Sequence, residues 1–204
     1  MTDGALPDAG TEPWIVLGLG NPGPAYAGHR HNVGYLVADE LVRRIGTPFK
    51  AHKASRAEVA EGRLGVPGGP GTRLVVVRPR SYMNEIGGPT KALLSFFKVG
   101  PERLVAVHDE LDIPFDTMRV KFAGGDNGHN GLRSLRSSLG TGDFFRVRVG
   151  VGRPPGRQDP ADFLLSNFPS STREEVAIEI SRAADSVESL VQVGLEATQS
   201  AFNS

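Results

Sequence analysis

Apolar runs separated by polar, glycine-rich junctions divide the chain into short elements. Trp14 to Leu19 is continuously apolar and ends at Gly20-Asn-Pro-Gly23, the pattern of a strand buried on both faces and closed by a turn. From Val33 the apolar positions Leu36, Val37, Leu41, Val42 and Ile45 recur at helical spacing, with Gly46 as a stop. Glu58–Leu64 and Thr72–Val77 read as a hairpin joined through residues 65–71. Pro89 can open a helix through Leu93 and Phe97, and Leu104–Val107 is a further buried strand. Met118–Phe122 predicts another strand, and Leu132, Leu135 and Leu139 a short helix closed by Gly140. In Phe144–Val151 the alternation puts Phe145, Val147, Val149 and Val151 on one face and Arg146 and Arg148 on the other. Ser171-x-x-Glu174 reads as a capping box ahead of one long C-terminal helix. Strands alternating with helices predict an α/β fold: a single-domain sandwich with a central mixed, mostly parallel β-sheet flanked by helices.

Composition narrows the class. The 204 residues are 39% hydrophobic and 23% charged, the balance of a globular protein. The opening to Pro13, rich in Gly, Pro and acids, reads as a mobile leader, so residues 14–204 are expected to form the domain. That opening has no Lys or Arg, and no apolar run approaches the roughly 18 residues of a membrane span, so neither a secretory signal nor a membrane segment is expected. Absence of cysteine excludes a thiolate nucleophile and a Cys-based zinc site, and fits a cytoplasmic location. The net charge is zero, but residues 117–157 hold eight basic against two acidic side chains, and residues 158–204 hold two against eight. Such a strip can meet phosphates on a neutral protein, or the acidic tail can neutralise it.

The chemistry gathers at the junctions. Gly18-Leu-Gly20-Asn-Pro-Gly23 matches G-x-G-x-x-G literally, yet Pro22 and Pro24 remove backbone donors and helical spacing starts only near Val33, which argues against a dinucleotide cofactor. The same loop delivers Asn21, Tyr26, His29, Arg30, His31 and Asn32 at a strand's carboxyl end. Tyr82-Met-Asn84, His108-Asp109-Glu110 and Gly128-His129-Asn130 occupy three further junctions. One reading makes these Asn and Asp residues turn formers and caps; the other gathers them into one cleft if the strands are parallel neighbours. No G-x-S-x-G elbow supplies a nucleophile, so water attack remains. An imidazole can take a proton from water, a carboxylate can fix its tautomer, and amide donors can hold an ester carbonyl as it becomes an oxyanion. His29-x-His31 lacks the further ligands a zinc site needs, and no metal is expected.

Gly-Leu-Gly-Asn21-Pro-Gly with Tyr26, Arg30-His31-Asn32, Tyr82-Met-Asn84, His108-Asp109-Glu110-Leu-Asp112 and Gly128-His129-Asn130-Gly-Leu together resemble the bacterial peptidyl-tRNA hydrolase family, in order and spacing from Trp14 to the C-terminal helix. The resemblance implies a monomeric, cofactor-free cytoplasmic enzyme that cleaves the ester between a peptide and the 3′ ribose of tRNA, recycling tRNA in translation. It implies His31 as general base, Asp109 as its orienting carboxylate, and Asn21 as the residue that distinguishes a blocked from a free amine. Tyr26, Tyr82, Asn84 and Asn130 would contact the peptidyl-adenosine end, His129 would line the cleft, and Lys121 and Arg148 would meet tRNA phosphate, with Arg119 and Arg133 as lesser candidates. His29, Ile86 and Asp126-Asn127 depart from the family pattern, and Asp126 is expected to add negative charge near the substrate loop. The rival readings are a nicotinamide oxidoreductase and a non-catalytic RNA-binding protein.

Overall fold

The computed structural model describes residues 12–65 and 71–203. Most of the expected leader and most of the 65–71 hairpin loop lie outside the described residues. Among the described residues seven strands form one sheet: β1 (Trp14–Gly18), β2 (Lys50–Ala51), β3 (Ala57–Leu64), β4 (Thr72–Pro79), β5 (Leu104–Glu110), β6 (Met118–Phe122) and β7 (Phe145–Gly150). Their order is β2-β3-β4-β1-β5-β7-β6. The central four, β4-β1-β5-β7, are mutually parallel, and antiparallel pairs complete both edges. The α-helices among the described residues are α1 (Val33–Ile45), α2 (Gly87–Phe97), α3 (Asn130–Leu139), α4 (Pro160–Leu164), α5 (Arg173–Val193) and α6 (Leu195–Phe202).

Successive residues of the central strands face opposite layers, which is why their sequences are apolar without alternation. Trp14, Val16, Val105, Val107, Val147 and Val149 pack with Val37 and Leu41 of α1 and Ala183, Val187 and Leu190 of α5. Ile15, Leu17, Val75, Val77, Leu104 and Ala106 pack with Leu93 and Leu94 of α2 and Leu132 and Leu135 of α3. Burying each such Val or Leu stabilises the fold by roughly 1.5–3 kcal/mol. The edge strand β6 is covered: Val120 N–H donates to Asn203 Oδ1 (2.6 Å), and its carbonyl accepts from Asn203 Nδ2 and Gln199 Nε2.

The glycines of the first junction serve packing. A Cβ on Gly18 would lie 2.3 Å from the Gly34 carbonyl oxygen, one on Gly34 2.3 Å from that of Val107, and one on Gly20 2.5 Å from the Tyr35 ring. Their absence lets α1 rest directly on β1 and β5.

Three expectations need correction. The strand through Val107 continues to Glu110, because His108, Asp109 and Glu110 pair in register with Arg148, Val149 and Gly150 of β7. The Ser171–Glu174 capping box does not form: Ser170–Thr172 is a 3-10 turn, and Thr172 sits at the N-cap of α5 with its hydroxyl donating back to the Pro169 carbonyl instead of accepting from a helix N–H. The long C-terminal helix is two helices, broken at Gly194 (φ 93°).

Candidate active site

The parallel strands β4, β1 and β5 end on one side of the sheet, and their tips open into a cleft of about 1200 Å³. Asn21, His31, Tyr82, Asn84, Asp109, His129 and Asn130 line it, so the four junctions do converge. Tyr26 does not line it; its ring packs edge-on against His29 and Tyr82 and buttresses the exposed Tyr82.

His31 sits in a 3-10 turn (Arg30–Asn32) between β1 and α1, with Nδ1 2.9 and 3.0 Å from the Asp109 carboxylate oxygens. Asp109 is buried on β5 and also receives Nε2 of His129 at 3.0 Å. Burial alone would raise the Asp109 pKa, but His129 and His31 beside it hold it well below the usual carboxylate range. An ionised carboxylate only accepts, so both imidazoles present N–H to it. His31 thereby carries its proton on Nδ1 and keeps the Nε2 lone pair. Burial opposes the charged form of His31, yet the Asp109 charge and hydrogen bond prevail and raise its pKa above 6.5. His108, fully buried next in sequence, is pushed down to about 3 by burial and by His129, and stays neutral.

Asn21 is held on three sides. Its N–H donates to Asn32 Oδ1 (3.0 Å), its carbonyl accepts from Asn32 Nδ2 (2.9 Å), and its Oδ1 accepts from Met83 N–H (2.8 Å). The group it can offer a ligand is therefore Nδ2–H. Asn130 Oδ1 likewise accepts from Arg133 Nη1 at 3.2 Å, which leaves its own amide N–H groups to the cleft.

His31, Asp109 and His129 place one potential ligand atom each within 4.8 Å of one another, close enough in principle for a cation. Their hydrogen bonds make a different arrangement: the two nitrogens nearest Asp109 carry protons, and Nδ1 of His129 accepts from Gly131 N–H (3.1 Å). A metal would have to displace both shared protons.

Lys121 and Arg148 lie outside the cleft on the β6–β7 ribbon. Arg119 stands opposite Arg148, and Lys121 opposite Arg146, so all four cations share one face. Arg146 is fully buried and binds the carbonyls of Gly124, Gly125 and Gly142, so it holds a loop rather than facing solvent. Arg148 pairs with Glu110 (3.0 Å), itself a cleft residue, so the cationic face adjoins the cleft. Burial, then Arg148 and Arg146, lower the Lys121 pKa. Asp126 adds little free charge: it accepts from Gly128 N–H and pairs with Arg136 at 3.1 Å. Ile86 is core.

Sequence reasoning missed one wall. Pro160, Ala161, Leu164 and Leu165, in and after α4, line the cleft. Arg30 ties this segment to the His31 turn, with Nη1 bonded to Ser166 Oγ (2.6 Å) and the Asn167 carbonyl (2.9 Å) and its guanidinium 4.1 Å from the Phe163 ring centre. The signal was present in Asp159-Pro160, an N-cap followed by proline at the first helical position.

Comparison with known proteins gives consistent matches. The sequence profile of the peptidyl-tRNA hydrolase family matches residues 15–204. The chain is 55% identical to a peptidyl-tRNA hydrolase of Frankia alni, over 94% of each chain. It is 56% identical to that of Streptomyces coelicolor, over 97% of this chain and 98% of the relative. A crystal structure of peptidyl-tRNA hydrolase from Acinetobacter baumannii superposes with a TM-score of 0.80 at 31% identity, covering 92% of this chain and 93% of that one.

Proposed function

Because the chain belongs to the peptidyl-tRNA hydrolase family, we propose that His31 activates the water with which it cleaves the ester between a peptide, or N-blocked aminoacyl group, and the 3′ ribose of tRNA. The observation that supports this reading best is the imidazole in the cleft whose Nδ1–H is fixed by a buried, ionised carboxylate. Nε2 of His31 takes a proton as water oxygen bonds to the ester carbonyl carbon. Amide N–H groups of Asn21, Asn84 and Asn130 are the donors available to the resulting oxyanion. Collapse breaks the acyl–oxygen bond, and the imidazolium returns its proton to the ribose oxygen, leaving a free peptide acid and tRNA. Asn21, anchored on three sides, presents Nδ2–H to the acyl carbonyl of a blocked amine. Tyr82, buttressed by Tyr26, offers a face for the terminal adenine, and His129 completes the cleft wall.

The face bearing Lys121, Arg119 and Arg148 receives tRNA phosphates. Residues 14–204 form the catalytic unit, acting as a monomer in the cytoplasm. The cysteine-free sequence suits a reducing compartment. Among the described residues no helix is long and apolar enough to cross a membrane. Hydrolysis of N-acetyl-aminoacyl-tRNA beside its unblocked counterpart tests substrate class and Asn21 together. The blocked substrate should turn over at least tenfold faster in the wild type, with Asn21→Ala narrowing the gap. Equal rates for both substrates would refute the assignment.

A further inference from the structure

His129 is more tightly determined than a residue that merely lines the cleft. The N–H of Gly131, in the first turn of α3, donates to its Nδ1 (3.1 Å), so the ring proton resides on Nε2, 3.0 Å from Asp109 Oδ1. Gly131 is packed too closely to carry a side chain: a Cβ there would lie 2.6 Å from Met83 Sδ and 3.1 Å from His129 Cε1. The His129 ring also stands 4.9 Å from that of His31 and edge-on at 5.0 Å to that of neutral His108. A backbone amide thus chooses the tautomer that faces the carboxylate, and Asp109 Oδ1 is shared between two imidazole donors.

We propose that His129 is a positioning residue for the hydrolysis: through Nε2–H it orients the Asp109 carboxylate and takes up part of its negative charge, limiting how firmly Asp109 holds a proton on His31. The inference rests on the reading of His31 as the base. A carboxylate accepting two N–H bonds attracts the imidazolium of either partner less than one accepting a single bond. The other charged groups nearby leave this balance to His129. Glu110, next to Asp109, is turned onto Arg148, and Arg146 acts on His108 while binding loop carbonyls.

The test is an NMR titration of the His31 ring in the wild type, His129→Ala and His129→Gln, run beside the pH dependence of kcat/KM on N-acetyl-aminoacyl-tRNA. Removing the second donor in His129→Ala should raise the His31 midpoint by about 0.5 to 1 pH unit. The acid limb of kcat/KM should move with it. His129→Gln restores an N–H near the Nε2 position and should bring both values back toward wild type. An unmoved His31 midpoint in His129→Ala, or identical midpoints in the Ala and Gln variants, would overturn the coupling. If the midpoint moves while the acid limb stays, the coupling stands and His31 is not the base. Because the titration reads the ring directly, it answers even where turnover is lost.

Discussion

At the scale of single residues, the site depends on keeping one carboxylate ionised in a buried place. Asp109 would be neutral there without donors, and two imidazole N–H groups hold it charged. The consequence for His31 has a definite sign. Its pKa is raised, so the protonated, inactive form persists above the ordinary 6.5, and kcat/KM should climb with pH through a midpoint above that value. A midpoint below 6.5 would contradict the Asp109 pairing. Asp109→Asn keeps the shape but can offer N–H where His31 needs an acceptor, favouring the tautomer that puts the lone pair on the wrong nitrogen. Turnover should fall by about 10²-fold or more, with the acid limb moving down. Turnover within a factor of three of wild type would dismiss the pair.

At the scale of elements, the glycine-rich turn after β1 serves contact between α1 and the sheet. Gly34→Ala should lower stability by about 1–3 kcal/mol, seen as a fall in Tm of several degrees, because the new methyl meets the Val107 carbonyl. An unaltered Tm would show that α1 has slack. The β6–β7 ribbon invites a salt test. Lys121→Ala should raise KM for tRNA substrates and reduce the slope of log kcat/KM against log salt by about one, leaving small ester substrates unaffected. An equal effect on both substrates would remove Lys121 from phosphate contact. Elements with long apolar signals, β1, α1 and the β3–β4 hairpin, were legible from the pattern alone. The strand character of His108-Asp109-Glu110 was not, since polar residues at a strand end look like a turn until their partners on β7 and across the cleft are known. The wall formed by α4 is five residues long and announces itself by a cap, not by periodicity. Three of the four junctions follow the parallel strands β1, β4 and β5, so their meeting at one end of the sheet was legible, whereas Gly128-His129-Asn130 follows β6, antiparallel to β7, and comes to the cleft only at the start of α3. Charge counting failed at Arg146, which sequence alternation assigned to a polar face and which tertiary contacts bury.

Across the whole molecule, zero net charge conceals two regions that do not cancel locally. Asp185 and Glu188 of α5 pair with Arg44 of α1, and Arg182 with Asp116. The basic stretch pairs instead with Glu110, Asp112 and Asp126. Among the described residues no ion pair joins residues 117–157 to residues 158–203; of the ribbon's cations, Arg148 is held by Glu110 and Arg146 by loop carbonyls. The molecule also holds one buried acid with a consequence for stability. Burial and the charge of Asp116 push Glu179 up to about 8, so the folded state binds its proton more tightly than the unfolded chain does. Stability from this group is complete below the ordinary value of 4.5 and is lost progressively as pH rises toward 8. Glu179→Gln should therefore gain about 3 °C or more in Tm over wild type at pH 9 and little at pH 5. The same difference at both values would contradict the shift. The most direct test of the account is single-turnover hydrolysis of N-acetyl-aminoacyl-tRNA by His31→Ala, with folding checked by Tm. The account predicts a rate lower by about 10³-fold or more with Tm and substrate affinity retained, and a well-folded variant within tenfold of wild type would contradict it.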